Sequence, residues 1–280
     1  MSVKCELYND HFQNYKRYAI PKAQLVIADI PYNVGKNAYG SNPSWYFGDD
    51  RKNGESKLAG KSFFRTDENF NIAEYFHFCN KLLKKEPKTT QGRGRSSTAP
   101  CMIVFCSFEQ LPMVIGYGRK YGFAHNIPLT FCKNYSAQAL KANMRIVGAT
   151  EHAVVLYRDK LPKFNNGGKV NPETGKVEGG HMVFDWFEWR RDQSKQYPKI
   201  HPTQKPVNLL KKLIEVFTDP GDVVIDPVAG SGAVLRAAAE LGRNAYGFEI
   251  QKDFYEKAQK QMLSPLRNGQ LTFTDLQEVL

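Results

Sequence analysis

Residues 222–249 read DVVIDPVAGSGAVLRAAAELGRNAYGFE, and this stretch decides the fold. Residues 222–226 form a short β-branched run of the length and character of a buried strand. The run passes directly into Pro227-Val228-Ala229-Gly230-Ser231-Gly232, a turn of small residues. Residues 233–241 then carry apolar positions at helical spacing, with Gly242 as the stop signal. A second strand-like run, 244–249, ends on an acid, Glu249. Strand, glycine turn, helix and strand make the repeating unit of a parallel sheet covered by helices. Glycines at such a turn let a ligand approach the backbone at a helix N-terminus. Glu249 stands at a strand's carboxyl end, where open α/β sheets bind ligands. An acid there accepts hydrogen bonds from ribose hydroxyls, so the expected ligand contains a nucleoside. A dinucleotide fingerprint would need a third glycine near position 235, where Leu235 stands. An NAD-dependent oxidoreductase is therefore the weaker reading, and a ligand without a pyrophosphate the better one.

The same alternation extends toward the N-terminus. Strands are expected at 24–29, 102–107, 127–132 and 153–157, and helices at 72–84, 108–121, 206–217 and 253–262. Three stretches interrupt the rhythm. Residues 33–71 are rich in Gly, Asn, Ser and aromatics and too long for an ordinary connection. Residues 84–98 set Lys84, Lys85, Lys88, Arg93 and Arg95 among small polar residues, either a phosphate grip or a solvated basic loop. Residues 159–199 hold a hairpin signal, KVNPETGKV, then Phe184, Trp186, Phe187 and Trp189 beside Arg190 and Arg191.

A second motif, Asp29-Ile30-Pro31-Tyr32-Asn33, follows directly on the apolar run QLVIA, residues 24–28. It combines an acid, a backbone carbonyl held extended by the following proline, and an aromatic face. A carboxylate and a carbonyl together accept both hydrogens of an exocyclic NH2, while a planar ring stacks on Tyr32. A strand ending in an ordinary turn is the plain alternative.

Composition narrows the class. Of 280 residues, 41% are hydrophobic, enough for a sizeable core, and no run approaches a membrane span. The start, MSVKCELYND, lacks the apolar region of a secretory signal, which places the expected protein in the cytoplasm. Cys5, Cys79, Cys101, Cys106 and Cys132 include no Cys-x-x-Cys pair, so neither a disulfide framework nor a zinc site is expected. A net charge of +11 favours a polyanionic partner, with a merely soluble basic surface as the plain alternative.

With both motifs in view, the chain resembles the amino-methyltransferase family of DNA methyltransferases. Asp29-Ile30-Pro31-Tyr32 resembles the family's catalytic Asp-Pro-Pro-Tyr, with Ile30 where proline is usual. Asp226-Pro227-Val228-Ala229-Gly230-Ser231-Gly232 resembles its S-adenosylmethionine (AdoMet) loop, and His201-Pro202-Thr203-Gln204-Lys205-Pro206 the segment that helps hold the methionine end. The catalytic motif precedes the cofactor motif, an order similar to the family's β class.

The resemblance implies a Rossmann-like AdoMet-dependent fold: a mostly parallel mixed sheet with helices on both faces and inserted loops. It implies AdoMet as cofactor, double-stranded DNA as partner, a base flipped out of the helix and no metal. Residues 1–158 would be the catalytic half, with DNA-facing loops 33–71 and 84–98. Residues 159–199 would be a target-recognition insertion, and 200–280 the AdoMet-binding half. Asp29, Ile30, Pro31 and Tyr32 would hold the target amine. Asp226, Pro227, Ala229, Gly230, Ser231, Gly232 and Glu249 would cradle AdoMet, and Thr203 and Lys205 would meet its carboxylate. Asp10 sits where relatives often place an acid near the cofactor's adenine, although a surface turn reads equally well.

Asp29 favours adenine N6, since relatives acting on cytosine N4 usually carry Ser there; the cytosine enzyme stays as the alternative. A catalytically inactive DNA-binding module is the other, supported by Ile30 alone. A homodimer and a cognate restriction nuclease are further partners that the sequence leaves open.

Overall fold

The strands at 25–29 and 101–106 are apolar at every position up to their ends, which suits strands covered on both faces. The computed structural model describes residues 3–32, 70–88, 98–135, 149–174, 177–193, 195–201 and 203–267. In chain order its first half holds β1 (Cys5–Tyr8), β2 (Leu25–Asp29), α1 (Ile72–Leu82), β3 (Cys101–Cys106) and α2 (Leu111–Lys120). Then come β4 (His125–Lys133), β5 (Thr150–Tyr157), β6 (Lys169–Val170), β7 (Val177–Glu178) and β8 (Trp186–Trp189). The last part holds α3 (Val207–Phe217), β9 (Val223–Asp226), α4 (Ala233–Glu240), β10 (Asn244–Phe248), α5 (Lys252–Lys257) and α6 (Ser264–Arg267).

Eight strands form one sheet in the order β1-β10-β9-β2-β3-β5-β4-β8, and β6 pairs with β7 as a separate hairpin. Every pairing in the large sheet is parallel except the two made by β5. Alternate residues of the central strands enter different cores. Leu25, Ile27, Ile103 and Phe105 pack with Leu210, Leu213 and Ile214 of α3 and Leu235 and Ala238 of α4. Val26, Ala28, Met102 and Val104 pack with Tyr75, Phe76 and Cys79 of α1 and Val114 of α2. The expected α/β architecture, with helices on both faces, is thus present.

Local chemistry accounts for the helix boundaries. Asn71 caps α1, its side-chain oxygen accepting from Ala73 N at 3.0 Å and Glu74 N at 3.2 Å. The helix expected over 108–121 begins as a tight turn, Phe108–Gln110, and becomes α-helical only at Leu111. Pro112 lies in that first helical turn, where its missing N–H costs nothing.

Two strands were not foreseen. β1 has four residues, one of them Glu6, too few for a pattern to emerge. The aromatic run 186–189 reads as a cluster in sequence but is an edge strand, β8, paired with β4. Among the described residues, no helix is long and apolar enough to cross a membrane.

Candidate active site

Strand direction gathers the site. β2, β9, β10, β3, β4 and β8 all run the same way, so Asp29, Asp226, Phe248, Cys106, Lys133 and Trp189 end at one edge of the sheet. β5 runs the other way, so its first residues, Thr150 and Glu151, arrive at that same edge.

The glycine turn lies there as a loop braced on both sides. Asp226 is buried, and its Oδ1 accepts from Val228 N at 3.0 Å. Burial pushes its carboxyl up to about 8. Pro227, Ala229 and Ser231 are buried, and Ala229 N donates to Phe248 O at 2.8 Å. Gly230 and Gly232 have φ of +51° and +76°, conformations that favour glycine. Glu249 accepts from Gly230 N at 2.8 Å and from Gln251 N at 2.7 Å. Burial raises its carboxyl to about 7, against the pull of those amides. The predicted loop and acid are therefore adjacent, joined by a hydrogen bond.

Asp29 and its neighbours form the second half of the site. Ile30 N donates to Phe105 O at 3.1 Å, and the Ile30 side chain is 1% exposed, packed in the α1 core. A proline at 30 could make no such hydrogen bond; here the amide and the buried side chain pin the turn instead. Gln110 Nε2 donates to the Pro31 carbonyl at 2.9 Å, a second brace.

Lys205 reaches this motif. Its ammonium is 2.7 Å from Asp29 Oδ2, 2.9 Å from Glu151 Oε2 and 3.4 Å from the Tyr32 hydroxyl. Lys133 in turn donates to Glu151 Oε1. Burial works against the charge on Lys205, but Asp29, Tyr32 and Glu151 outweigh it and hold the ammonium well above its ordinary value. Burial also raises Asp29, with Lys205 opposing and Glu151 reinforcing the rise. The other Asp29 oxygen, Oδ1, is buried with no hydrogen-bond partner among the described residues.

The segment expected to hold a cofactor spans both halves. At one end the His201 ring lies 3.7 Å from where a Cβ on Gly230 would stand. At the other end is Lys205. Burial, with the nearby Lys205 charge, lowers His201 to about 4 and keeps the ring neutral. Thr203 Oγ1 lies 3.1 Å from His201 Nδ1.

The remaining expected residues are dispersed. Asp10 follows β1, but its carboxylate is occupied by its own turn: His11 N and Asn14 Nδ2 at 2.7 Å, and the Tyr18 hydroxyl at 2.9 Å. Lys84 is at the opposite end of the sheet from Asp29, its backbone bonded to Ala23 and its ammonium 2.8 Å from Asp222. It does not reach the catalytic edge, because the loop it opens starts where the parallel strands begin. Lys85 and Lys88 are exposed nearby, and Arg93 and Arg95 lie outside the described residues, as does nearly all of 33–71. Arg190 and Arg191 follow β8 at the catalytic edge. Arg190 pairs with Glu188 at 2.8 Å, and the Arg191 guanidinium is 3.7 Å from the Tyr135 ring centre.

Sequence reading missed Glu151, Lys133 and Trp189 as neighbours of the Asp29 motif, and quoted His201 within the cofactor segment without giving it a role of its own. Glu151 precedes an apolar run and looks like any solvent-facing acid. Its inward position depends on β5 running antiparallel, which no local signal announces.

Comparison with known proteins follows the same lines. A family model described as DNA methylase, N6_N4_Mtase, matches residues 23–260. The DNA adenine methyltransferase YhdJ of Escherichia coli K12 is 25% identical over 273 residues, spanning 90% of this chain and 80% of that protein. The crystal structure of the M1.HpyAVI–SAM complex is 20% identical, with a TM-score of 0.60, covering 92% of this chain and 98% of that one. The cytosine-N4-specific PvuII DNA methyltransferase is 13% identical, with a TM-score of 0.55, over 99% of this chain and 92% of that one. These two likenesses show a shared fold.

Proposed function

This chain belongs to the DNA methylase family of N6 and N4 amino-methyltransferases, and on that premise we propose that it methylates the exocyclic N6 of adenine in DNA, with AdoMet as donor. The observation that carries the reading is the state of Asp29. One carboxylate oxygen is tied to Lys205, and the other is buried at the sheet edge with no partner among the described residues. An unpaired buried acceptor is costly, and a donor supplied by a substrate removes the cost. An exocyclic amine is such a donor.

The residues present fit AdoMet. Gly230 and Gly232 hold the loop at positive φ, which side chains rarely adopt, the Glu249 carboxylate stands beside it to take ribose hydroxyls, and the His201 ring lies over Gly230. Asp226, Pro227, Ala229 and Ser231 shape the loop, and Thr203 lies on the segment that closes over it. Asp10 follows β1, next to the strand whose end bears Glu249. When bound, AdoMet supplies an electrophilic methyl group on a sulfonium.

The protein's own part is to orient and to take up a proton. Asp29 Oδ1 and the Ile30 carbonyl hold the two amine hydrogens, which aims the nitrogen lone pair away from them. Tyr32 offers its ring to the base, and Pro31 keeps the preceding carbonyl extended. Asp29 then receives the proton that the methylated nitrogen must lose, a task suited to a carboxylate raised by burial. Holding reactants in this geometry supplies a large share of the acceleration. Arg190 and Arg191, at the same edge, are assigned to DNA phosphates. Residues 159–199, which carry the exposed, stacked pair Phe184 and Trp186, are assigned to target recognition.

N4 of cytosine is the second reading, favoured by the fold shared with the PvuII enzyme. Incubation of the protein with tritiated AdoMet and unmethylated DNA, followed by digestion to nucleosides and chromatography, separates the two. Label in N6-methyladenine supports the proposal, label in N4-methylcytosine replaces it, and absence of transfer ends both.

A further inference from the structure

Asp29 belongs to a chain of four alternating charges whose far members have no assigned role. Asp29 pairs with Lys205 at 2.7 Å, Lys205 with Glu151 at 2.9 Å, and Glu151 with Lys133. The side chains are 28%, 6%, 18% and 7% exposed in that order, so the interior of the chain is shielded from water. An ammonium has three hydrogens, and Lys205 has three oxygens around it: Asp29 Oδ2, Glu151 Oε2 and the Tyr32 hydroxyl. Tyr32, Phe105 and Trp189 wall it in, their ring centres 5.3, 5.4 and 5.6 Å from Nζ. The ammonium is thus held between two carboxylates.

We propose that Glu151 is a positioning residue for methyl transfer, which shares Lys205 with Asp29 and so keeps Asp29 Oδ1 turned to the substrate and basic. The proposal rests on the reading of Asp29 as the amine-binding group. With Glu151 present the four charges cancel. Without it, Lys205 and Lys133 outnumber Asp29, and the whole attraction of Lys205 falls on the carboxylate that must accept a proton. Lys133 completes the chain from the far side: burial would raise the Glu151 carboxyl, but Lys205 foremost, with Lys133 adding to it, brings it below its usual value, so Lys205 alone keeps Glu151 ionised. Among the described residues, the other charged or titratable groups near this chain include Tyr32 on the catalytic motif, Cys106 at the end of β3, Asp226 on β9 and His201 on the covering segment, with Tyr135 beside Lys133 and Arg191 against the Tyr135 ring. A brace of the same residues that merely fastened β5 to the covering segment would add stability and leave the ionisation of Asp29 alone.

Two variants separate positioning from bracing, because they change the charge beside Asp29 in opposite senses. Glu151→Gln removes a negative neighbour, so the acid limb of the single-turnover rate should move to lower pH. Its plateau should fall on the order of 10- to 100-fold, the scale of a small misplacement of reacting groups, with AdoMet affinity unchanged. Lys133→Met removes a positive neighbour, and its acid limb should move to higher pH. Glu151→Asp should return the limb toward wild type. A carboxyl 13C NMR titration of Asp29 in the cofactor-free protein, assigned with Asp29→Asn, should show the same opposed shifts without any turnover. Wild-type rate and limb in Glu151→Gln would overturn the proposal. So would variants that lose rate and melting temperature together while the Asp29 titration stays in place. If Glu151→Gln does not fold, Lys133→Met and the NMR titration decide alone. If wild-type protein transfers no methyl group to DNA, the amine-binding reading fails; opposed NMR shifts would then still establish that Glu151 and Lys133 set Asp29.

Discussion

Removing the Asp29 carboxylate takes away the acceptor for the target amine but nothing from the glycine loop. Asp29→Ala should therefore abolish methyl transfer while calorimetric AdoMet affinity stays close to wild type. Glu249→Ala acts on the other half and should weaken AdoMet binding by about 1–3 kcal/mol, the worth of a charge-assisted hydrogen-bond pair. Affinity should also depend on pH. The Glu249 carboxyl, raised to about 7 by burial, is the better acceptor when ionised. Binding should strengthen as pH rises through that value and weaken as it falls. Asp226, raised to about 8, titrates close by but has its Oδ1 committed to Val228 N. Glu249→Gln should flatten the curve around pH 7; an unchanged curve would move the titrating group elsewhere. Of these residues, Asp29, Gly230 and Glu249 were legible from their place after strand-like runs. Glu151 was not, since a lone acid carries no sign of which way its strand runs.

At the scale of elements, the packing of α4 against β10 sets the shape of the glycine loop. A methyl group on Gly247 would stand 2.7 Å from Leu235 Cδ1, 3.1 Å from the Ala229 Cβ and 3.1 Å from the Asp226 carbonyl. Gly247→Ala should destabilise the protein by about 1–3 kcal/mol, the usual cost of overpacking, and weaken AdoMet binding because the loop must shift. Urea unfolding and calorimetry would check the two effects separately. Leu235, read in sequence as the residue that spoils a dinucleotide fingerprint, is also the side chain that fills this space. The central strands and the helices were legible because their apolar periodicity is long and regular. β1 and β8 were not, because each is short and interrupted by a glutamate, Glu6 or Glu188, whereas the equally short β9 is an apolar β-branched run up to its terminal Asp226.

At the scale of the whole molecule, the described basic residues expected to meet DNA fall at opposite ends of the sheet. Arg190 and Arg191 lie at the catalytic edge, whereas Lys84 pairs with Asp222 at the other. Replacing both arginines with Gln should reduce the salt slope of DNA binding by about 2, roughly one for each phosphate that is no longer neutralised. The methylated sequence should stay the same, because phosphate contacts position and base contacts specify. Lys84→Gln should leave the slope nearly unchanged. A fall as large as that of the arginine pair would place DNA at the opposite end of the sheet.

Residues 222–249 alone determined a parallel α/β unit with a ligand loop, since strand, turn and helix signals are local and follow from period and glycine content. The two motifs, each after a strand, were enough to place both halves of the site at strand ends. Only the tertiary structure decided that Lys205, in the segment expected to hold a cofactor, pairs with Asp29 while His201 covers Gly230. It also decided that Glu151 and Lys133 join the site, and that Lys84 does not. Each of these depends on which strands lie side by side and in which direction they run. Those relations are set by packing between residues far apart in the chain, and no window of sequence contains them.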